Sequence, residues 1–197
     1  TGQDIVTSVN YVRNTFELES LPGPTVLSHL GLGLEFLIRG VLPPTHQHVI
    51  AQASEIFLSY YGEHLLDTTA LYPHVTDTLA YYAAKQKAVI SNKPTAATIA
   101  LLQGLGIEAC FDMVLGGTST SRKKPHPEQL THVLLTLGVT PSKAVMVGDD
   151  RPDIEAGKSA GVHTCGVIYG LGNQENLIKA RPDLIIEDLL ELKDHYR

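Results

Sequence analysis

The chain has 197 residues, 43% hydrophobic and 18% charged, with a formal net charge of −6. That balance describes a globular chain with a real core, built as one large domain or two modest ones. It leaves no basic surface for nucleic acid or an anionic membrane. No signal-like segment opens the chain and no apolar run reaches about 18 residues, so a soluble cytoplasmic protein is expected. Cys110 and Cys165 have neither metal nor disulfide spacing and read as buried free thiols of a reducing compartment.

From Thr1 to about Thr69 the pattern is helical. Ile5, Val9, Val12 and Phe16 share one face, as do Leu34, Leu37, Ile38 and Val41, and then Val49, Ile50, Ala53, Phe57 and Tyr60. Leu21-Pro-Gly-Pro24 and Leu42-Pro-Pro-Thr45 interrupt these runs, which predicts a small antiparallel helical unit over residues 1–70.

The character changes after Tyr72-Pro73. A helix is expected over 75–86, then a strand at Ala88-Val-Ile90 and a helix opened by Pro94 with Ile99, Leu102 and Leu105 inward. A strand at 111–115 follows, then a Gly-Gly-Thr-Ser loop and a helix over 127–137 carrying Leu130, Val133, Leu134 and Leu137 on one side. Ala144 to Gly148 reads as a buried strand, 152–161 as a helix, and 165–168 and 184–186 as further strands. Strands alternating with helices of this length predict an α/β unit over 71–197, a doubly wound, Rossmann-like parallel sheet.

Three polar clusters follow strands or lie in strand-to-helix loops: Ser91-Asn92, Lys124, and Asp149 with Asp150 and Asp153. Ligands of open α/β sheets gather at the carboxyl ends of the strands, so these clusters are expected to share a pocket. Three carboxylates within five positions repel one another unless a cation or hydrogen-bond donors compensate, which suggests a Mg²⁺ site. The alternative is an N-cap aspartate with solvated neighbours. A hydroxyl, an ammonium and Mg²⁺-binding carboxylates together make the inventory needed to hold a phosphoryl group. Gly31-Leu-Gly33 lacks the third glycine of a dinucleotide fingerprint, and no Gly-x-x-x-x-Gly-Lys-Ser/Thr run exists.

Val-Ile-Ser91-Asn92-Lys-Pro, Lys124-Pro-His-Pro-Glu128 and Val-Met-Val-Gly-Asp149-Asp-Arg-Pro-Asp153, in that order and spacing, resemble the second to fourth motifs of the haloacid dehalogenase superfamily, in its phosphoglycolate phosphatase-like branch. The resemblance covers essentially the whole chain, with Leu71-Tyr-Pro-His-Val75 similar to the branch's return from cap to core and His74 where glycine is common. It implies a core with a helical-bundle cap that closes over the site, and a Mg²⁺-dependent phosphomonoesterase acting on a small phosphorylated metabolite. Phosphoglycolate is the best guess among sugar phosphates, nucleotides and pyrophosphate. By the same resemblance Ser91, assisted by Asn92, would bind the phosphoryl oxygens and Lys124 would neutralise them. Asp149 would hold Mg²⁺, Asp153 would position the metal's water or Lys124, and Asp150 has a less defined role. Gly31, Gly33 and Arg39 of the cap would touch the substrate's far end.

One feature of the family is missing: an Asp-x-Asp nucleophile strand, which these 197 residues do not contain. The expectation is that the first core strand is absent from this chain and lies in the native protein ahead of Thr1, between the strands ending at Ser91 and Gly148. Its omission would open a ~10 Å gap in place of the usual ~4.8 Å spacing and leave buried ladder groups unpaired at ~1–3 kcal/mol each. The chain alone is then expected to be inactive. A catalytically inactive binding or regulatory relative is the alternative, and metal-free dehalogenation a weaker third reading. Oligomeric state is not readable from the sequence.

Overall fold

The computed structural model describes residues 1–196. They form two compact units, Thr1–Ala70 and a second that begins at Leu71. No described helix is long and apolar enough to cross a membrane.

The first unit is helical: α1 (Gly2–Thr15), α2 (Gly23–Leu27), α3 (Leu34–Val41) and α4 (Ile50–His64). α1 packs on α2 and α4, and α3 packs on α4. Val9, Val12, Ile38, Val41 and Ala53 are buried with Phe57 and Tyr61, so the apolar faces read from spacing carry the core. Phe16 and Tyr60 lie at the margin; Tyr60 stacks between Tyr11 and His64, with ring centroids 4.0 and 4.2 Å away. Two buried charges hold the ends together. Arg13 donates to the carbonyls of Glu19 and Val41. Asp4 accepts from the backbone N–H and hydroxyl groups of both Thr68 and Thr69, which fastens the last residues of the unit to its first turn.

The second unit alternates helices and parallel strands: α5 (Val75–Tyr81), β1 (Ala88–Ile90), α6 (Thr95–Gly104), β2 (Met113–Leu115), α7 (Glu128–Leu137), β3 (Val145–Gly148), α8 (Arg151–Ala160), β4 (His163–Val167), α9 (Gln174–Lys179), β5 (Leu184–Ile186) and α10 (Leu192–His195). Parallel pairs are buried by crossover helices, and here α7 packs on β1 and α8 while α8 packs on β3 and β4. The strands fall into two separate sheets. β1 pairs with β2, and β3, β4 and β5 pair in that order. β1 and β3 therefore each keep one unpaired edge, and both are only half-buried along their length, whereas β4 is buried after its first residue. Ile90 and Met146 nevertheless pack on one cluster formed by Leu130, Ala156 and Val162, so α7 and α8 bridge the two sheets.

Several expectations shift. α5 stops at Tyr81, not 86, because Lys87 Nζ turns back to the carbonyls of Tyr82 and Lys85 at 2.8 and 2.7 Å and ends the turn. In α6 the buried residues are Thr98 and Leu101, while Ile99, Leu102 and Leu105 are half-buried. The run Ile99-Ala-Leu-Leu102 is apolar on every side, so periodicity could not choose its inner face. Cys165 is buried as expected, but Cys110 is only half-buried, since it ends a surface 3₁₀ turn at Glu108–Cys110.

Candidate phosphoryl-binding site

β3 delivers the acidic cluster. Gly148 ends the strand, Asp150 takes the extended N-cap conformation, and its carboxylate accepts from Arg151 N–H at 2.7 Å. Asp153, one turn in, accepts from Asp150 N–H through Oδ2 at 3.1 Å, closing a capping box. The N-cap reading is thus realised at Asp150, whose pKa is raised by burial and by the negative charges of Asp149 and Asp153. The backbone is tight here. A Cβ on Gly148 would stand 2.2 Å from Asp153 Cβ, so only glycine lets α8 start so close to the strand.

Lys124 comes from the loop after β2. Its Nζ donates to Asp153 Oδ1 at 2.6 Å and to the Ile90 carbonyl at 2.8 Å, and both side chains of the ion pair are about nine-tenths buried. Its backbone is held by Asn92, whose Nδ2 donates to Lys124 O at 2.8 Å and whose Oδ1 accepts from Lys124 N–H at 3.0 Å. Sequence reasoning gave the Asn92 amide to the phosphoryl oxygens. In the fold that amide is committed to Lys124's main chain, because the loops after β1 and β2 run side by side. Ser91 opens its loop; its N–H donates to Leu115 O at 2.9 Å and its Oγ accepts from Lys93 N–H at 3.1 Å. The hydroxyl proton of Ser91 is then available for an incoming oxygen.

Asp149 has a different surrounding. Its Oδ2 accepts from Gly172 N–H at 3.0 Å, and a Cβ on Gly170 would stand 2.2 Å from Asp149 Cβ. The Tyr169–Gly172 turn thus closes against the carboxylate. Tyr72 and Tyr169 stand beside it, ring centroids 5.1 Å apart, and burial followed by neighbouring negative charge raises both phenol pKa values, that of Tyr169 to about 12. Among the described residues no three His, Cys, Asp or Glu side chains form a ready metal cage. Mg²⁺ does not need one, since it takes one or two carboxylates, water and substrate phosphate. Asp149 fits as one such ligand. Asp153, with both oxygens engaged inside the protein, is less suited to that role.

One buried polar residue behind the candidate site escaped the sequence reading. Gln129, fully buried on α7, donates from Nε2 to Gly116 O at 2.8 Å and Ser91 O at 3.4 Å, joining the two phosphate-side loops from below. A polar residue beside Leu130 on the inward face of α7 was the available signal. Gly31, Gly33 and Arg39 lie in the first unit. Gly31 and Gly33 have φ of 100° and 97°, and Arg39 is exposed and paired with Glu35 at 2.9 Å.

The haloacid dehalogenase-like hydrolase family matches residues 1–167. A phosphoglycolate phosphatase of Salmonella paratyphi A is 38% identical over 157 residues, covering 76% of this chain and 62% of that protein, so the chain spans about three-fifths of this relative's length. One from Haemophilus influenzae is 33% identical over 199 residues, covering 96% and 89%. The crystal structure of a predicted phosphoglycolate phosphatase from Haemophilus somnus superposes with a TM-score of 0.92 at 28% identity, covering 98% of this chain and 91% of that one.

Proposed function

Because this chain belongs to the haloacid dehalogenase-like hydrolase family and shares its α/β fold, we propose that the protein is a Mg²⁺-dependent phosphomonoesterase acting on a small phosphorylated metabolite, phosphoglycolate first among candidates. The observation that carries this reading is the convergence of Ser91, Lys124 and Asp153 on the carboxyl ends of β1 and β3, with Asp149 next in chain to Asp150.

Each residue has a task that follows from its contacts. The Ser91 hydroxyl donates to a phosphoryl oxygen. Lys124, fixed by Asp153 and Ile90 O and held in the backbone by Asn92, neutralises charge on that group without having to reorganise. Asp149, oriented by Gly172 N–H, would ligate Mg²⁺. Bound there, the ion would withdraw charge from the phosphoryl oxygens.

The remaining need is a nucleophile, which Asp149 and Asp153 cannot be while serving these roles. We assign it to an aspartate on a further parallel strand, ahead of Thr1, lying between β1 and β3. Its carboxylate oxygen would bond to phosphorus as the ester oxygen leaves with a proton, and water would then hydrolyse the aspartyl-phosphate. The two unpaired, half-buried edges of β1 and β3 support this assignment. Without that strand the chain is expected to be inactive.

The second reading is a catalytically inactive binding or regulatory protein, favoured by the lack of an Asp-x-Asp in these 197 residues. A screen of full-length protein against phosphorylated metabolites separates the two. Mg²⁺-dependent phosphate release supports the enzyme; binding without turnover across the panel supports the inactive relative.

A further inference from the structure

Asp149 is held by a turn whose own support lies outside the acidic cluster. Gly172 N–H donates to Asp149 Oδ2 at 3.0 Å, and the backbones run so close that a Cβ on Gly172 would stand 2.1 Å from Asp149 O. Behind the turn, Gln174 Nε2 donates to Ile168 O at 2.7 Å, and Asn173 Oδ1 caps α9 by accepting from Asn176 N–H at 2.9 Å. Of the turn's two large side chains, Leu171 is exposed. Tyr169 is half-buried and packs on the cluster of Cys165, Val167, Ile186 and Leu192.

The Tyr169 ring also meets Tyr72, with centroids 5.1 Å apart and planes inclined by 57°, the geometry of a favourable aromatic pair. Tyr72 is 44% exposed and lies in the segment from Leu71 to His74, which follows the helical unit and leads into α5. Two residues on, His74 Nδ1 meets Asp188 Oδ2 at 2.7 Å. The segment is thus anchored independently of Tyr72, so the Tyr72 ring can constrain Tyr169 rather than follow it. Groups that orient a metal ligand from behind weigh heavily on metal affinity.

Resting on the phosphatase reading, we propose that Tyr72 is a positioning residue for the metal-binding carboxylate: its ring holds Tyr169, Tyr169 holds the turn, and Gly172 N–H of that turn orients Asp149. The Mg²⁺ affinity of the site is then set in part by the segment that follows the helical unit.

The test is a calorimetric Mg²⁺ titration, without substrate, of full-length wild type, Tyr72→Ala, Tyr72→Phe and Asp149→Ala. Tyr72→Ala should raise the Mg²⁺ Kd about three- to tenfold, the scale of one aromatic pair. Tyr72→Phe, which keeps the ring, should bind as wild type does. If Tyr72→Ala does not melt cooperatively, Tyr72→Leu takes its place. An unchanged Kd in the ring-less variant, or a Tyr72→Phe protein that binds as weakly, overturns the assignment while leaving the phosphatase reading in place. A wild type that binds no Mg²⁺, or binds it equally well after Asp149→Ala, overturns the metal assignment of that reading and this inference together.

Discussion

Lys124 Nζ stands 2.6 Å from Asp153 Oδ1 while also holding the Ile90 carbonyl, so one ammonium joins the end of β1 to the first turn of α8. The two sheets do not hydrogen-bond to each other at this point. The lysine is thus a tie across an open seam, and in the proposed reaction it is also the charge that meets the phosphoryl group.

Breaking that pair from one side should leave a buried charge behind. Lys124→Gln and Asp153→Asn are each expected to destabilise the protein by about 3 kcal/mol and to lower phosphatase activity at least about 100-fold. The double variant should regain much of the stability and none of the activity. Chemical denaturation alongside steady-state kinetics on all three variants checks this.

Gly148 and Gly170 each back onto a carboxylate-bearing residue: a Cβ at either position would stand only 2.2 Å from Asp153 Cβ and Asp149 Cβ respectively. Alanine at either position must move that residue. Overpacking of this kind costs about 1–3 kcal/mol. Gly170→Ala should in addition weaken Mg²⁺ binding about tenfold, the usual scale for disturbing a ligand's support. Thermal melts and calorimetric Mg²⁺ titrations of the two variants separate these effects.

Asp4 supplies the pH dependence of the helical unit. Burial raises its pKa, but the hydrogen bonds from Thr68 and Thr69 outweigh burial and leave it below the usual value of 3.8. A depressed carboxylate stabilises the fold fully above its unfolded pKa and loses that contribution as pH falls through the lower folded value. Asp4→Ala should cost about 2–3 kcal/mol at neutral pH. Asp4→Asn should flatten the loss of melting temperature below about pH 4, which a pH series of thermal melts reads directly.

His74 holds φ of 60° at the N-cap of α5, and its Nδ1 meets Asp188 Oδ2 at 2.7 Å. The left-handed region costs a non-glycine residue roughly 1 kcal/mol, and a half-exposed imidazole–carboxylate contact returns about 0–1 kcal/mol. His74→Gly should therefore be close to neutral, whereas His74→Ala, which keeps the strain and loses the partner, should be about 1 kcal/mol less stable than His74→Gly. Equilibrium denaturation of the two variants measures that difference.

The helical periodicities of the first unit and the β3–Gly148–Asp150–α8 junction were legible because spacing and capping chemistry agree there. The inner face of α6 was not, since Ile99, Ala100, Leu101 and Leu102 leave no polar side to exclude. The clustering of Ser91, Lys124 and Asp153 could be anticipated from strand ends. Roles that depend on a partner distant in sequence could not: Asn92 reads as a phosphoryl ligand, yet its amide binds the main chain of Lys124, and the partners of Gln129 are the carbonyls of Gly116 and Ser91. Pairing decides such roles, and local pattern carries no record of it.

The proposed chemistry is tested most directly by phosphate release from p-nitrophenyl phosphate by the full-length protein, with Mg²⁺ and with EDTA, in wild type and Asp149→Ala. Hydrolysis that needs Mg²⁺ and is abolished by Asp149→Ala is the predicted result. Hydrolysis unaffected by EDTA, or an Asp149→Ala enzyme as active as wild type, would contradict it.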